Sequence, residues 1–421
     1  MKFKKLVTLE KPIQGLTSYV VPTKVKDVVT ISGSMLGGTL YSDKENPKTS
    51  SLASAMLDKG TQKNSKSDLS YKLESIGAEI SFISSSRHIN FTAYCLKSDL
   101  DLVIELIAEQ LRYPIFAQDE LALLKKRMIG NLEISKDDTK KQSLINFIRK
   151  VYPENHFNYR PSIEESIHSI RLVNSNDLKS FHEKTFGLGS LNIAAAGDIS
   201  NAQFQDSIQK YFGNWNTQNI NTLGTTIPAN KRTQITENMN IDDKTSSDVY
   251  IGQSVNVTED GDDYRKLMMG IYILGGNFSA RLMQSVRDEQ GLTYGIGSTI
   301  TGCGYGMNGH WHTWGTFSPN LVDKGINSTL NVIDKWFNEG ITEKELAAKK
   351  TTLIGSFKVS LDTTGGLIDK ILTNAEKGRD ITYLDDYTNK INDLNKDEIN
   401  SAIKQHLDPK TFVTSIAGTI I

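Results

Sequence analysis

Two side chains in this sequence have the types and spacing to meet an oxyanion. In Ser279–Ser298 (SARLMQSVRDEQGLTYGIGS) the apolar spacing reads as a short amphipathic helix that ends at Gly291 and runs into a strand. Arg287 stands near the helix end and Tyr294, seven residues on, near the strand start. A permanently charged guanidinium and a phenol that donates one hydrogen bond, projected from one helix-to-strand turn, suit an oxyanion. Spacing alone favours a plainer arrangement, in which Arg287 pairs with Asp288 or Glu289 and Tyr294 caps a strand; the words around the pair, GGNFSARL and GLTY, tip the reading toward the oxyanion. The chain contains no HxxEH, HExxH or other metal-ligand spacing, and no GxSxG, catalytic cysteine–histidine pattern or Walker loop.

Other constellations carry less. His310 and His312 would share one strand face, but no third ligand can be named, and with Trp311 and Trp314 around them they read as a sheet surface. The glycines of Gly295–Gly306 lie inside a strand pattern and do not open a helix, so they are expected to admit another backbone or a peptide, not a dinucleotide. His88, His156, His168, His182 and His406 are scattered singly.

The elements that must hold Arg287 and Tyr294 occur twice. The run AQDELALLKKRMIGNLEIS from Ala117 matches TEKELAAKKTTLIGSFKVS from Thr342. Glu120 falls on Glu345, Leu121 on Leu346, Lys125 on Lys350 and Ile129-Gly130 on Ile354-Gly355, at a constant offset of 225. Before each copy lies one helical face, with Leu100, Ile104, Ile107 and Leu111 in the first and Val322, Ile326, Leu330, Ile333 and Phe337 in the second. Each half closes on a strand of small residues, Ile193–Ile199 and Ser415–Ile420. Adjacent strands followed by helices predict an α+β fold of two homologous α/β-sandwich domains, each a mostly antiparallel sheet covered by helices. The domains are expected at 1–213 and 244–421. The Thr- and Asn-rich stretch 214–243 is expected to link them.

A chain of 421 residues is too long for one ordinary core, which agrees with two domains. The formal charge is −1 without any run of five like charges, so neither nucleic acid nor a membrane is expected as a partner. Cys95 and Cys303, one in each half, exclude a disulfide framework and read as inert buried thiols. The basic N-terminus MKFKKLVTLEKP lacks the apolar core of a signal peptide. A cytoplasmic location is expected, or a periplasmic one after removal of a leader.

Taken together, the duplicated α+β halves, the words GGNFSARL and GLTY, and the Arg287/Tyr294 pair resemble the insulinase (pitrilysin-like) zinc peptidases over nearly the whole chain. The resemblance implies HxxEH on a helix of the first half, just before a Gly-Thr. Aligned on Gly60-Thr61, those five positions here are Ser51, Leu52, Ala53, Ser54 and Ala55. Both histidines and the catalytic glutamate are gone. Glu133 alone falls near the place of the family's third ligand. One carboxylate cannot hold zinc where three protein ligands are normal, so no metal or other cofactor is expected in this chain.

Arg287 and Tyr294 match the family's pattern. The resemblance implies that such a pair binds the substrate carbonyl and steadies the tetrahedral intermediate across a chamber from the zinc. It further implies that small members of the family pair, and that peptides add as a strand to a sheet edge near the zinc. The expected role is therefore a non-catalytic subunit that supplies Arg287 and Tyr294 to a zinc-bearing insulinase-family partner acting on unfolded peptides. The alternative is a structural or peptide-holding scaffold descended from processing peptidases.

Overall fold

The computed structural model describes residues 2–218, 220 and 227–420. It divides into two compact units. The first contains a six-stranded sheet made of β1 (Thr8–Ile13), β2 (Leu16–Pro22), β3 (Val28–Leu36), β4 (Glu79–Ser84), β5 (His88–Leu96) and β6 (Leu191–Gly197), in the order β1-β2-β6-β3-β5-β4. The second contains β7 (Ile235–Asn240), β8 (Ser247–Ser254), β9 (Thr293–Thr301), β10 (His310–Phe317) and β11 (Val413–Gly418), in the order β7-β11-β8-β10-β9. In each sheet one pair is parallel, β2 with β6 and β7 with β11, and the other neighbours are antiparallel. Apart from β1, the two sheets have the same order and the same directions. This is the α+β architecture that the repeat predicts.

The repeat also holds in side-chain detail. Glu120 accepts from Lys66 and Glu345 from Arg281, each near the start of a long helix, Gln118–Ser135 or Glu343–Ser360. Lys125 donates to the carbonyls of Arg171 and Val173 at the end of helix Ile163–Leu172. Lys350 donates to that of Asn392 at the end of Tyr387–Asn392. Both lysines satisfy helix-end carbonyls that have no partner within their own helix.

The first sheet is covered on both faces. One face packs Ile31, Ile89, Phe91 and Ile193 in a core with Leu52, Ile104, Ile107 and Phe204 of the surrounding helices. On the other, Tyr19, Val21, Ala194 and Ala196 meet Leu367, Ile368, Ile371 and Leu372 of helix Thr364–Glu376. The alanines of IAAAGDI thus leave room for a helix that comes from the second half of the sequence. Reciprocally, helix Thr139–Val151 from the first half packs Phe147, Ile148 and Val151 with Tyr250 and Val413 of the second unit.

The compact units therefore do not follow the expected cut into 1–213 and 244–421. The first comprises Met1–Gly130, Ser166–Leu223 and Ser356–Tyr387, and the second Asn131–Glu165, Gly224–Gly355 and Thr388–Ile421. The boundary crosses the two long helices at corresponding places, after Gly130 and after Gly355. Of the expected linker 214–243, residues 219 and 221–226 lie outside the described residues. Part of the remainder is strand, because Ile235–Asn240 pairs with β11 as the half-exposed outer strand β7. Among the described residues no helix is long and apolar enough to cross a membrane.

Candidate functional site

The segment carrying Arg287 follows helix Asp262–Gly275, whose buried face holds Leu267, Ile271 and Leu274. The predicted amphipathic helix is present, but Met283–Glu289 is wound as a π-helix. Leu282, Met283 and Val286 point into the core. Such one-turn π segments are uncommon and gather at functional sites. The helix ends where Gly291 adopts φ +62°, a left-handed conformation that favours glycine, with open space around it.

Tyr294 owes its position to a β-bulge. Thr293 lies opposite Phe317 and Gly295 opposite Thr316, so Tyr294 is an extra residue without a cross-strand partner. The Thr293 hydroxyl stitches the bulge, donating to the Thr316 carbonyl and accepting from the Gly295 N–H at 3.1 Å. The phenol is thrown outward and is 89 % exposed. The Arg287 guanidinium carbon lies 5.7 Å from the centre of the Tyr294 ring and 5.9 Å from that of Phe278, itself 77 % exposed. Arg287 also donates to Asp288 at 3.2 Å, the contact that the plainer arrangement foresaw. An exposed pair of this kind is worth about 0–1 kcal/mol, so it leaves the guanidinium available. The strand involved, β9, is the outermost of its sheet. The structure thus brings together the two residues singled out from sequence and adds Phe278, whose only sequence signal was an aromatic residue after two glycines in GGNF.

The positions aligned with HxxEH lie on helix Thr49–Ala55, and Leu52, Ala53, Ser54 and Ala55 serve packing. Leu52 and Ala53 are buried in the core. Ser54 is buried and donates to the Ser50 carbonyl at 3.0 Å. The neighbouring Ser50 donates to the Gly37 carbonyl at 2.7 Å. Glu133 is bound to Lys136 at 2.8 Å, a hydrogen bond that raises the pKa of the lysine. Among the described residues no group of three or more His, Cys, Asp or Glu side chains is placed to hold a metal. Ser51–Ala55 do not fit zinc, since alanine and leucine offer no donor and Ser54 is already engaged.

The remaining sequence candidates are structural. His310 and His312 share a sheet face, but that face is covered and not open surface. Both are buried, their rings stack at 5.2 Å, and Phe147 packs against each. Tyr152 Oη lies 3.0 Å from His310 Nδ1. Burial pushes His310 well below the ordinary histidine value and His312 to about 4, so both imidazoles are neutral. The glycines of β9 admit a side chain instead of a peptide: the Trp314 indole lies over Gly295 and Gly297, where a Cβ on Gly297 would come within 2.9 Å of it. Cys95 and Cys303 are buried and free, with thiols pushed by burial up to about 11 and about 12.

Comparison with known proteins agrees with this architecture. The family described as Insulinase (Peptidase family M16) matches residues 20–155, and the Peptidase M16 inactive domain matches residues 173–353. A protein of Helicobacter pylori named non-peptidase homolog YmxG is 23% identical over 91% of this chain and 87% of its own length. A protein of Mycobacterium bovis named uncharacterized zinc protease Mb2805c is 21% identical over 86% of this chain and 82% of its own. The crystal structure of a peptidase M16 inactive domain from Pseudomonas fluorescens superposes with a TM-score of 0.88 at 21% identity, covering 99% of this chain and 98% of that one. The two family matches follow one another along the chain and together take in most of the sequence, so this chain belongs to the insulinase family, peptidase family M16.

Proposed function

We propose that this chain is the non-catalytic subunit of a two-chain peptidase, paired with a family member that carries HxxEH and zinc. Its contribution is Arg287 and Tyr294, offered to the carbonyl oxygen of an unfolded peptide. The Tyr294 hydroxyl donates one hydrogen bond and Arg287 adds a fixed positive charge. Both interactions strengthen as negative charge builds on that oxygen, so they favour the transition state over bound substrate. The observation that carries this reading is the bulge that sets a nine-tenths exposed phenol beside a guanidinium, while the former metal positions are occupied by packing. The names of the relatives, a non-peptidase homologue in one case and a zinc protease in another, fit a family in which metal is kept by some members and lost by others.

A scaffold that only holds peptide or partner is the second reading. It draws on the Arg287–Asp288 contact, which gives the guanidinium a partner within the chain. Reconstitution separates the two. This chain and a family member with HxxEH from the same genome are assayed on a fluorogenic peptide, separately and mixed. Chelator-sensitive cleavage that needs both chains is expected. Cleavage by this chain alone, with stoichiometric zinc bound, would overturn the proposal.

A further inference from the structure

Phe278 has no role in the core, yet the loop that carries it is hydrogen-bonded on both sides of it. Its ring is 77 % exposed, whereas its neighbours on both sides are tied down. The Lys349 side chain is buried and donates to Asn277 Oδ1 at 2.9 Å, to the Ser279 carbonyl at 3.0 Å and to Ser279 Oγ at 2.7 Å. Asn277 Oδ1 also accepts from the Ser279 N–H at 3.1 Å. Two residues further on, Arg281 grips Glu345 with a bidentate pair at 2.6 and 2.8 Å and donates to the Gly340 carbonyl at 2.8 Å. Burial would raise the Glu345 carboxyl, but the hydrogen bonds from Arg281 and Thr342 outweigh it and hold it at about 2.

The lysine of this clamp is specific to the second half. At the repeat offset of 225, Lys349 corresponds to Leu124, which is equally buried. A buried ammonium replaces a leucine only where its hydrogen bonds offset the desolvation. All three acceptors of Lys349 belong to the two residues that flank Phe278. An exposed ring whose backbone is fixed on both sides has already lost part of the freedom that binding would otherwise cost it, which is how a recognition side chain is prepared.

We propose that Phe278 is a specificity-determining residue that receives an apolar side chain, aromatic or branched aliphatic, of the bound peptide. The inference rests on the peptide site proposed at Arg287 and Tyr294. Arg287 lies within 6 Å of both ring centres, so a peptide whose carbonyl meets the guanidinium brings its adjoining side chain to Phe278. The polar contacts then hold the peptide backbone, and the ring selects among side chains.

The test is fluorescence anisotropy on the purified full chain with two labelled, unstructured decapeptides of Gly and Ser, one carrying a central Phe and its twin a central Ser. The wild type is expected to bind the Phe peptide roughly tenfold more tightly. Phe278→Ala should abolish that difference without changing the melting temperature, and Phe278→Leu should keep most of it. Arg287→Ala should weaken both peptides alike. Unchanged discrimination in Phe278→Ala, or none in the wild type, overturns this inference while Arg287-dependent binding leaves the underlying site standing. Binding of both peptides that is indifferent to Arg287→Ala and Tyr294→Phe, or no binding at all, removes that site and the inference with it.

Discussion

The segment between β3 and β4 of the first unit and that between β8 and β9 of the second occupy the same place in the repeat, but they spend their polar side chains differently. In the first, Ser50 and Ser54 turn inward to backbone carbonyls. Further along, Thr61 donates to the buried Glu109 carboxylate, and Asn64 donates to both its oxygens at 2.8 and 3.0 Å. In the second, the inward bonds of Lys349 and Arg281 hold a loop whose Phe278, together with Arg287 and Tyr294, faces solvent. One copy has been absorbed into its own core, and the other presents side chains that the fold does not need. Duplicated architecture therefore says where a site can be. The direction in which each polar group points says which copy leaves side chains free for one.

The largest expected effect comes from reversing that direction in the first unit. Ser54→Glu, which restores the carboxylate of HxxEH, forces a charge into a position that is 2 % exposed and without a counter-ion in its described contacts. It should cost more than about 3 kcal/mol in urea denaturation. Tyr294→Ser at the outward-facing place should change stability by no more than about 0.5 kcal/mol. Equal tolerance at both positions would erase the contrast.

Acid should act more strongly on the second unit. Burial depresses three histidines of the second unit, His156, His310 and His312, and two of the first, His182 and His88, the last to about 4. A histidine whose folded pKa lies below its unfolded value takes up protons first in the unfolded chain. Stability is thus complete above about 6.5 and falls as pH drops from about 6.5 toward 4, by about 3 kcal/mol for His312 alone. Thermal melts followed by tryptophan fluorescence report mainly the second unit, which holds Trp311, Trp314 and Trp336. His312→Phe, which removes a ring whose Nδ1 has no hydrogen-bond partner among the described residues, should flatten the decline. An unaltered pH profile would count against neutral burial.

The smallest effect sharpens the difference between the two long helices. Lys349→Leu installs the residue of the first unit, removes the ammonium that donates to Asn277 and Ser279, and should lower stability by about 1–3 kcal/mol in the same denaturation assay. A stabilised variant would mean that the clamp is not holding the loop.

Much of this was legible in the sequence. The offset between Glu120 and Glu345 announced two copies, and the structure gives Lys125 and Lys350 the same helix-end task. The spacing of Arg287 and Tyr294 located an exposed pair. What stayed hidden depends on partners distant in sequence. Periodicity shows that Thr139–Val151 and Thr364–Glu376 each have an apolar face but not which sheet receives it, so the exchange of helices between units was invisible. The π-helix and the bulge at Tyr294 differ from regular structure by one residue of register, which composition does not record. Lys349 reads as an ordinary helix lysine until its counterpart Leu124 is set beside it.

The central claim is that the outward-facing side chains act on substrate, and kcat of the reconstituted two-chain enzyme carrying Tyr294→Phe tests it most directly. The variant removes one hydroxyl from a residue that is 89 % exposed, so folding and assembly should be unchanged. Loss of one oxyanion donor costs about 2.7–4 kcal/mol, and kcat should fall roughly a hundred- to a thousandfold with little change in KM. A kcat equal to that of the wild-type complex, at unchanged zinc content, would contradict the account and leave this chain a scaffold.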